Sequence, residues 1–150
     1  MARNRVIRKP LLEQPMTSFA QLSAALFAFI IGNTLVVIVA NMFFPQAVVL
    51  GNQLLTPFQG ALYSMTIVAL MAVGIIPIVE WVANWYQLNF SNTQWLALYW
   101  VLNAGAVWLV ARFALIAGLG ISSWLVAVVL GLVLNLVQGW LMANVVGRVD

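Results

Sequence analysis

Cysteine and histidine are both absent from this chain of 150 residues. Without cysteine there is no disulfide framework, and the sequence gives no information about a redox compartment. Without either residue, the usual protein ligands of zinc, copper, haem iron and iron–sulfur clusters are missing. The sequence therefore predicts no metal site and no cofactor.

Charge is almost as scarce. Only 6% of the residues are charged and 65% are hydrophobic, whereas soluble domains carry about 25% charged residues. A soluble chain of this length could not bury so much apolar surface, so we expect lipid to surround most of it. The sequence also lacks a glycine-rich phosphate loop, a nucleophile–base pair and paired carboxylates, so we expect no enzyme and no catalytic residue.

Four apolar stretches are each long enough to cross a bilayer, which requires about 20 helical residues. A helix is the one single-segment structure that satisfies its own backbone in lipid. The predicted fold is therefore all-α, a polytopic membrane protein with four transmembrane helices. Residues 1–17 form a basic tail, and residues 18–150 form the transmembrane domain. The predicted spans are residues 19–44, 57–83, 94–117 and 121–146.

The basic residues predict the orientation of the chain. The tail contains four of the six basic residues and one acidic residue, Glu13. By the positive-inside rule we expect both termini and the turn at 84–93 in the cytoplasm, with residues 46–56 and 118–121 outside. The predicted location is a bacterial inner membrane, where the tail can contact anionic lipid; no nucleic acid partner is expected. The four basic residues of the tail are Arg3, Arg5, Arg8 and Lys9.

Aromatic residues bracket the turn at 84–93. Rings with a polar edge are typical of the membrane–water interface, so this group predicts an interfacial belt. Its members are Trp81, Trp85, Tyr86, Trp95, Tyr99 and Trp100.

Small and amide residues recur at helical spacing in three of the spans. Small residues allow helices to approach closely, and amides hydrogen-bond between helices, so these positions are predicted helix-packing or interface residues. A polar lining for a small molecule or for water is the alternative interpretation of the amides. The candidates are Ala24, Ala28 and Gly32 in the first span, Gly60 and Ser64 in the second, and Gly131, Asn135 and Gln138 in the fourth.

Arg112 is a predicted intramembrane charge, five residues inside the end of the third span. Such a charge is a functional hypothesis by default. Glu80 has the opposite sign, but its predicted depth differs by about 20 Å, too far for an ion pair. Arg112 then snorkels outward, stacks on Trp108 four residues earlier, or meets a partner chain.

The two halves of the chain have similar patterns. Asn33 aligns with Asn103, and after each following break an aromatic residue, Phe58 or Trp124, begins the next span. Units with an even number of spans repeat in the same orientation, so the pattern predicts a parallel 2+2 repeat of helical hairpins about an axis along the membrane normal.

A family resemblance is carried by the same residues. The pattern is an asparagine early in a span, a loop of the Leu-Gly-Ile type, an aromatic residue, and a span rich in glycine and leucine that ends near asparagine or glutamine. It resembles phage holin superfamily IV, a family of small four-span proteins, best over Leu98–Met142 and more loosely over Phe29–Trp81. The resemblance implies a four-span architecture and a holin-like, oligomeric protein.

Three functions are compatible with the sequence. The first is an accessory or assembly subunit of a membrane complex, which acts through helix–helix association with itself or with other membrane subunits. The second is a holin-like oligomeric pore that permeabilises the membrane. The third is a minimal channel or transporter, for which we expect polar residues along a whole helix face.

Overall fold

Four long helices dominate the computed structural model, which describes residues 18–146. Each is long and apolar enough to cross a membrane, and the all-α, four-span fold is confirmed. The tail residues Arg3, Arg5, Arg8 and Lys9 lie outside the described residues. The elements are α1 (Phe19–Phe43), β1 (Val48–Leu50), α2 (Pro57–Trp85), α3 (Asn92–Arg112), α4 (Ala114–Ala117), β2 (Leu119–Ile121) and α5 (Trp124–Asn144).

Three of the long helices begin with the same hydrogen-bonded cap. In each, the side chain of the N-cap serine or threonine accepts a bond from the backbone N–H three residues later. The glutamine at that later position accepts a bond from the N-cap N–H in return. This capping box satisfies two backbone donors that a helix start leaves unpaired. The pairs are Ser18 with Gln21, Thr56 with Gln59, and Ser91 with Gln94.

The third span differs from its prediction, because the helix expected over 94–117 is divided. It ends at Arg112, and Phe113 leaves helical geometry at φ −105° and ψ 37° before α4 begins. The short helix after the bend is tied to the loop after β1. Nδ2 of Asn52 in that loop donates to the carbonyls of Ala114 at 3.3 Å and Leu115 at 2.9 Å, groups near a helix end that need such partners.

The two strands, which the sequence did not predict, form an antiparallel ribbon with Val49 opposite Gly120. We call this end of the bundle the ribbon end, and the opposite end, where α1 begins and α5 ends, the terminal end. The ribbon joins the connection that follows α1 to the connection that follows α3. A two-fold axis along the bundle would also pair equivalent strands antiparallel, but the 2+2 repeat itself stays a prediction.

The four long helices form a ring in which α1 and α3 each pack against both α2 and α5. The core between them includes Met65, Val107 and Leu134, each no more than 1% exposed. The outward face of α1 is apolar at every fourth residue, from Phe27 to Val39. This is the pattern of a helix with lipid on one side and protein on the other.

Candidate functional site

Three buried amide side chains from three helices meet inside the bundle. Asn103 on α3 and Gln138 on α5 exchange two hydrogen bonds, with Nδ2 of Asn103 2.9 Å from Oε1 of Gln138 and Nε2 of Gln138 3.1 Å from Oδ1 of Asn103. The same Nε2 also donates to Oδ1 of Asn33 on α1, at 3.1 Å. All three residues are at most 6% exposed. We call them the amide triad, and they tie α1, α3 and α5 together.

The triad is not fully satisfied on the α1 side. Nδ2 of Asn33 and Oγ1 of the neighbouring Thr34 are buried without a hydrogen-bond partner. The chain pattern suggests a cause, since Phe58 and Trp124 are 66 positions apart, and so are Ala72 and Gln138. The first half therefore has alanine where the second half has its glutamine. Asn33 accepts a bond from the amide of the other half but has no acceptor for its own N–H₂.

Two further polar contacts join α3 to α5. Nδ2 of Asn135 donates to the carbonyl of Leu96 at 3.0 Å, and Nε1 of Trp100 donates to the carbonyl of Val128 at 2.9 Å. Trp100 therefore bonds to a neighbouring helix rather than serving only in the predicted interfacial belt. Another predicted belt member, Trp95, stacks on Tyr99 at the terminal end with ring centroids 5.8 Å apart.

The predicted packing glycines lie against other parts of the same chain. A Cβ on Gly131 would be 2.5 Å from the backbone nitrogen of Ala104, so α3 and α5 approach closely there. A Cβ on Gly60 would be 2.6 Å from the carbonyl oxygen of Gly118, a residue in the left-handed conformation at φ 72°. Gly32 faces α5, where a Cβ would be 2.8 Å from Cδ1 of Leu141.

The other predicted packing residues also lie between helices of the chain or close to them. Ser64 is fully buried, and its hydroxyl donates to the carbonyl of Gly60 at 2.6 Å. Ala24 packs against a small apolar cluster that contains Ala25 and Phe29, and Ala28 is half-buried.

Three other glycines, which the sequence interpretation did not select, are open to the outside. A Cβ added to Gly74 on α2, Gly105 on α3 or Gly139 on α5 would meet nothing within 4 Å. No spacing rule distinguishes them from the buried glycines, because that distinction depends on how each helix is rotated in the bundle.

A cavity of about 160 Å³ lies inside the terminal half of the bundle. Glu80 and Tyr99 line it together with the amides of Asn135 and Gln138, and its remaining lining, which includes Phe29, is mainly apolar. The sequence placed Glu80 at the membrane interface, and the structure places it along a cavity that reaches the amide triad. Sequence reasoning missed this cavity, because its lining comes from four different helices.

Arg112 is the last residue of α3 and is exposed, rather than lying more than a turn inside a longer span. Its Cζ lies 4.5 Å from the centroid of the Trp108 ring, so the predicted stacking contact is present. Glu80 lies near the other end of the bundle, five residues before the end of α2, which agrees with the expectation that the two charges are too far apart to pair.

Comparison with known proteins gives no further assignment. No family model, no curated protein and no solved structure matches the chain. The resemblance to phage holin superfamily IV therefore remains a prediction from sequence pattern.

Proposed function

We propose that this integral membrane protein is not an enzyme and acts through helix–helix association, as an accessory or assembly subunit of a membrane complex. The observation that carries the proposal is the contrast between its two sets of glycines. In one set, neighbouring atoms of the same chain occupy the space beside the glycine, as at Gly32, Gly60 and Gly131. In the other set, which includes Gly74 and Gly105, that space is open. Association in a membrane depends on close helix approach at small residues, and the open glycines provide positions for it.

The polar groups of the bundle support association over conduction by one chain. The amide triad directs its hydrogen bonds inward, to one another. Between residues 18 and 146 the charged side chains are Glu80 and Arg112, near opposite ends of the bundle. A continuous wet pathway needs polar groups along its length, whereas the cavity lined by Glu80, Asn135 and Gln138 is confined to the terminal half of the bundle.

The α3 helix offers the clearest surface for a partner. Gly105 lies one turn from Val101, which is 66% exposed, and one turn from Leu109, which is 43% exposed. A glycine between two outward-facing apolar residues forms a shallow notch into which a side chain of another helix fits. A second copy of the chain, or another membrane subunit, is the proposed partner at this notch.

Energy transfer between donor- and acceptor-labelled copies in lipid vesicles tests the proposal. We expect transfer above the level of random crowding, and we expect Gly105→Leu to reduce it severalfold by filling the notch. Val39→Leu is the matched control, because it enlarges an outward-facing residue of α1, away from the notch. The proposal would be contradicted if energy transfer fell on dilution with lipid as expected for randomly distributed monomers and the protein also bound no other membrane subunit.

A holin-like oligomeric pore is the alternative proposal, and it predicts a different result. The pore would have to be lined by surfaces of several chains, because the amides of one chain are bonded to one another. Prompt collapse of the proton gradient when the protein is expressed in a bacterial inner membrane would favour the pore over the accessory subunit.

A further inference from the structure

A second, smaller cavity of about 110 Å³ lies at the ribbon end, between the end of α3 and the start of α5. Its lining includes Arg112 and Trp108 from α3, and Ser122, Ser123 and Trp124 from the other side. It places a guanidinium and two hydroxyl-bearing residues around one small volume. This combination of groups suits an oxyanion.

Arg112 is held in place for such a role. Its guanidinium stacks over Trp108, with Cζ 4.5 Å from the ring centroid, and stacking leaves the N–H groups at the edge of the plane available as donors. Within residues 18–146 it is the one basic side chain. Its guanidinium therefore supplies the positive charge of the cavity.

The serines add donors on the opposite wall. Ser123 is the N-cap residue of α5, but its side chain makes no capping hydrogen bond. The backbone N–H of Ser122 is already used, since it donates to the carbonyl of Ala47 at 3.0 Å. The hydroxyl of Ser123 can therefore donate toward the cavity, beside the first N–H groups of α5, which lack an i−4 acceptor within the helix.

We propose that this cavity binds the phosphate group of a membrane phospholipid in the leaflet at the ribbon end. Arg112 ends one span and Trp124 begins the next, so the cavity lies at the depth where a bilayer presents its phosphates. Tryptophan side chains are typical of this depth as well. Free phosphate has the same oxyanion chemistry, but the location of the site favours the lipid.

Native mass spectrometry of the protein in a neutral, phosphate-free detergent tests the proposal. The probes are a phosphatidylglycerol, the diacylglycerol with the same acyl chains, and inorganic phosphate. We expect one phosphatidylglycerol to be retained per chain, at least tenfold more tightly than the diacylglycerol. Arg112→Gln should reduce this preference about tenfold, which corresponds to the loss of a charge-assisted hydrogen bond. Ser123→Ala should reduce the preference by a smaller factor.

Gln53→Ala is the matched control, since Gln53 is a polar, exposed residue between β1 and α2, at the same end of the bundle, and does not line the cavity. The melting temperature of each variant without lipid separates lost binding from lost folding. Equal retention of phosphatidylglycerol and diacylglycerol, or retention unchanged in a folded Arg112→Gln variant, would overturn the proposal. Inorganic phosphate that binds as tightly as the phospholipid would overturn the assignment to a lipid.

Discussion

The amide triad predicts that removing one of its members destabilises the protein much more than removing another. Gln138 makes all three hydrogen bonds of the triad, whereas Asn33 accepts one and leaves its own Nδ2 buried and unpaired. We compare Gln138→Met with Asn33→Leu. Each replacement keeps the approximate shape of the side chain and removes its polar atoms.

The expected losses differ in size. A hydrogen bond between membrane helices contributes about 0.6 kcal/mol on average, and a buried unpaired polar group costs about 1–3 kcal/mol. Gln138→Met loses three bonds and leaves the amides of Asn33 and Asn103 without partners, so we expect a loss of about 3–5 kcal/mol in unfolding free energy. Asn33→Leu loses one bond and leaves one N–H of Gln138 without its acceptor, but it also removes the unpaired Nδ2, so we expect a change of at most about 1 kcal/mol.

Equilibrium unfolding in bicelles, by steric trapping or by detergent titration, measures both values. Asn103→Leu is the internal control, because it breaks the reciprocal pair with Gln138 and should destabilise the protein. If Asn33→Leu were as destabilising as Gln138→Met, Nδ2 of Asn33 would have a partner and the one-sided triad would be refuted.

Three further results are expected. Gly131→Leu should prevent the single chain from folding, because even a Cβ there would lie 2.5 Å from the backbone of Ala104. Leu130→Ala should still fold, with a loss of about 2–4 kcal/mol in unfolding free energy. Circular dichroism and gel filtration of both variants check this. Asn52→Ala should weaken the ribbon end by about 1–3 kcal/mol, because the carbonyls of Ala114 and Leu115 lose their side-chain donor, and faster amide exchange at residues 114–121 would report it. A reporter fused after Asp150 should be active only in the cytoplasm, as the basic tail predicts; activity outside the cell would reverse the topology.

The sequence was sufficient for the fold because hydrophobic length alone determines a membrane span. The spacing of Arg112 and Trp108 also made their stacking one of three alternatives for Arg112, since residues four apart share a helix face. The capping boxes could have been predicted as well, because a serine or threonine followed by glutamine three residues later is a local pattern. Each of these features is determined by residues that are close together in the sequence.

The remaining features depend on contacts between distant segments. The strands Val48–Leu50 and Leu119–Ile121 are too short for a periodic pattern, and they form only because the fold brings two connections together. The short helix after Phe113 is bonded to Asn52, which is 62 positions from Ala114. Sequence reasoning recognised the amides as buried polar groups, but pairing Asn33 with Gln138 requires the rotation of two helices about their axes.

Counting chains and following a proton gradient in the same vesicles tests the central claim most directly. Fluorescently labelled protein is reconstituted at fewer than one complex per vesicle, and photobleaching steps give the number of chains while a pH-sensitive dye reports the gradient. The account predicts more than one bleaching step per complex in vesicles that keep their gradient, with Gly105→Leu shifting the count toward one. Two results would contradict an accessory subunit that acts by association. One is a single bleaching step for wild-type protein that also binds no membrane subunit. The other is a proton gradient that collapses faster as the number of chains per vesicle rises.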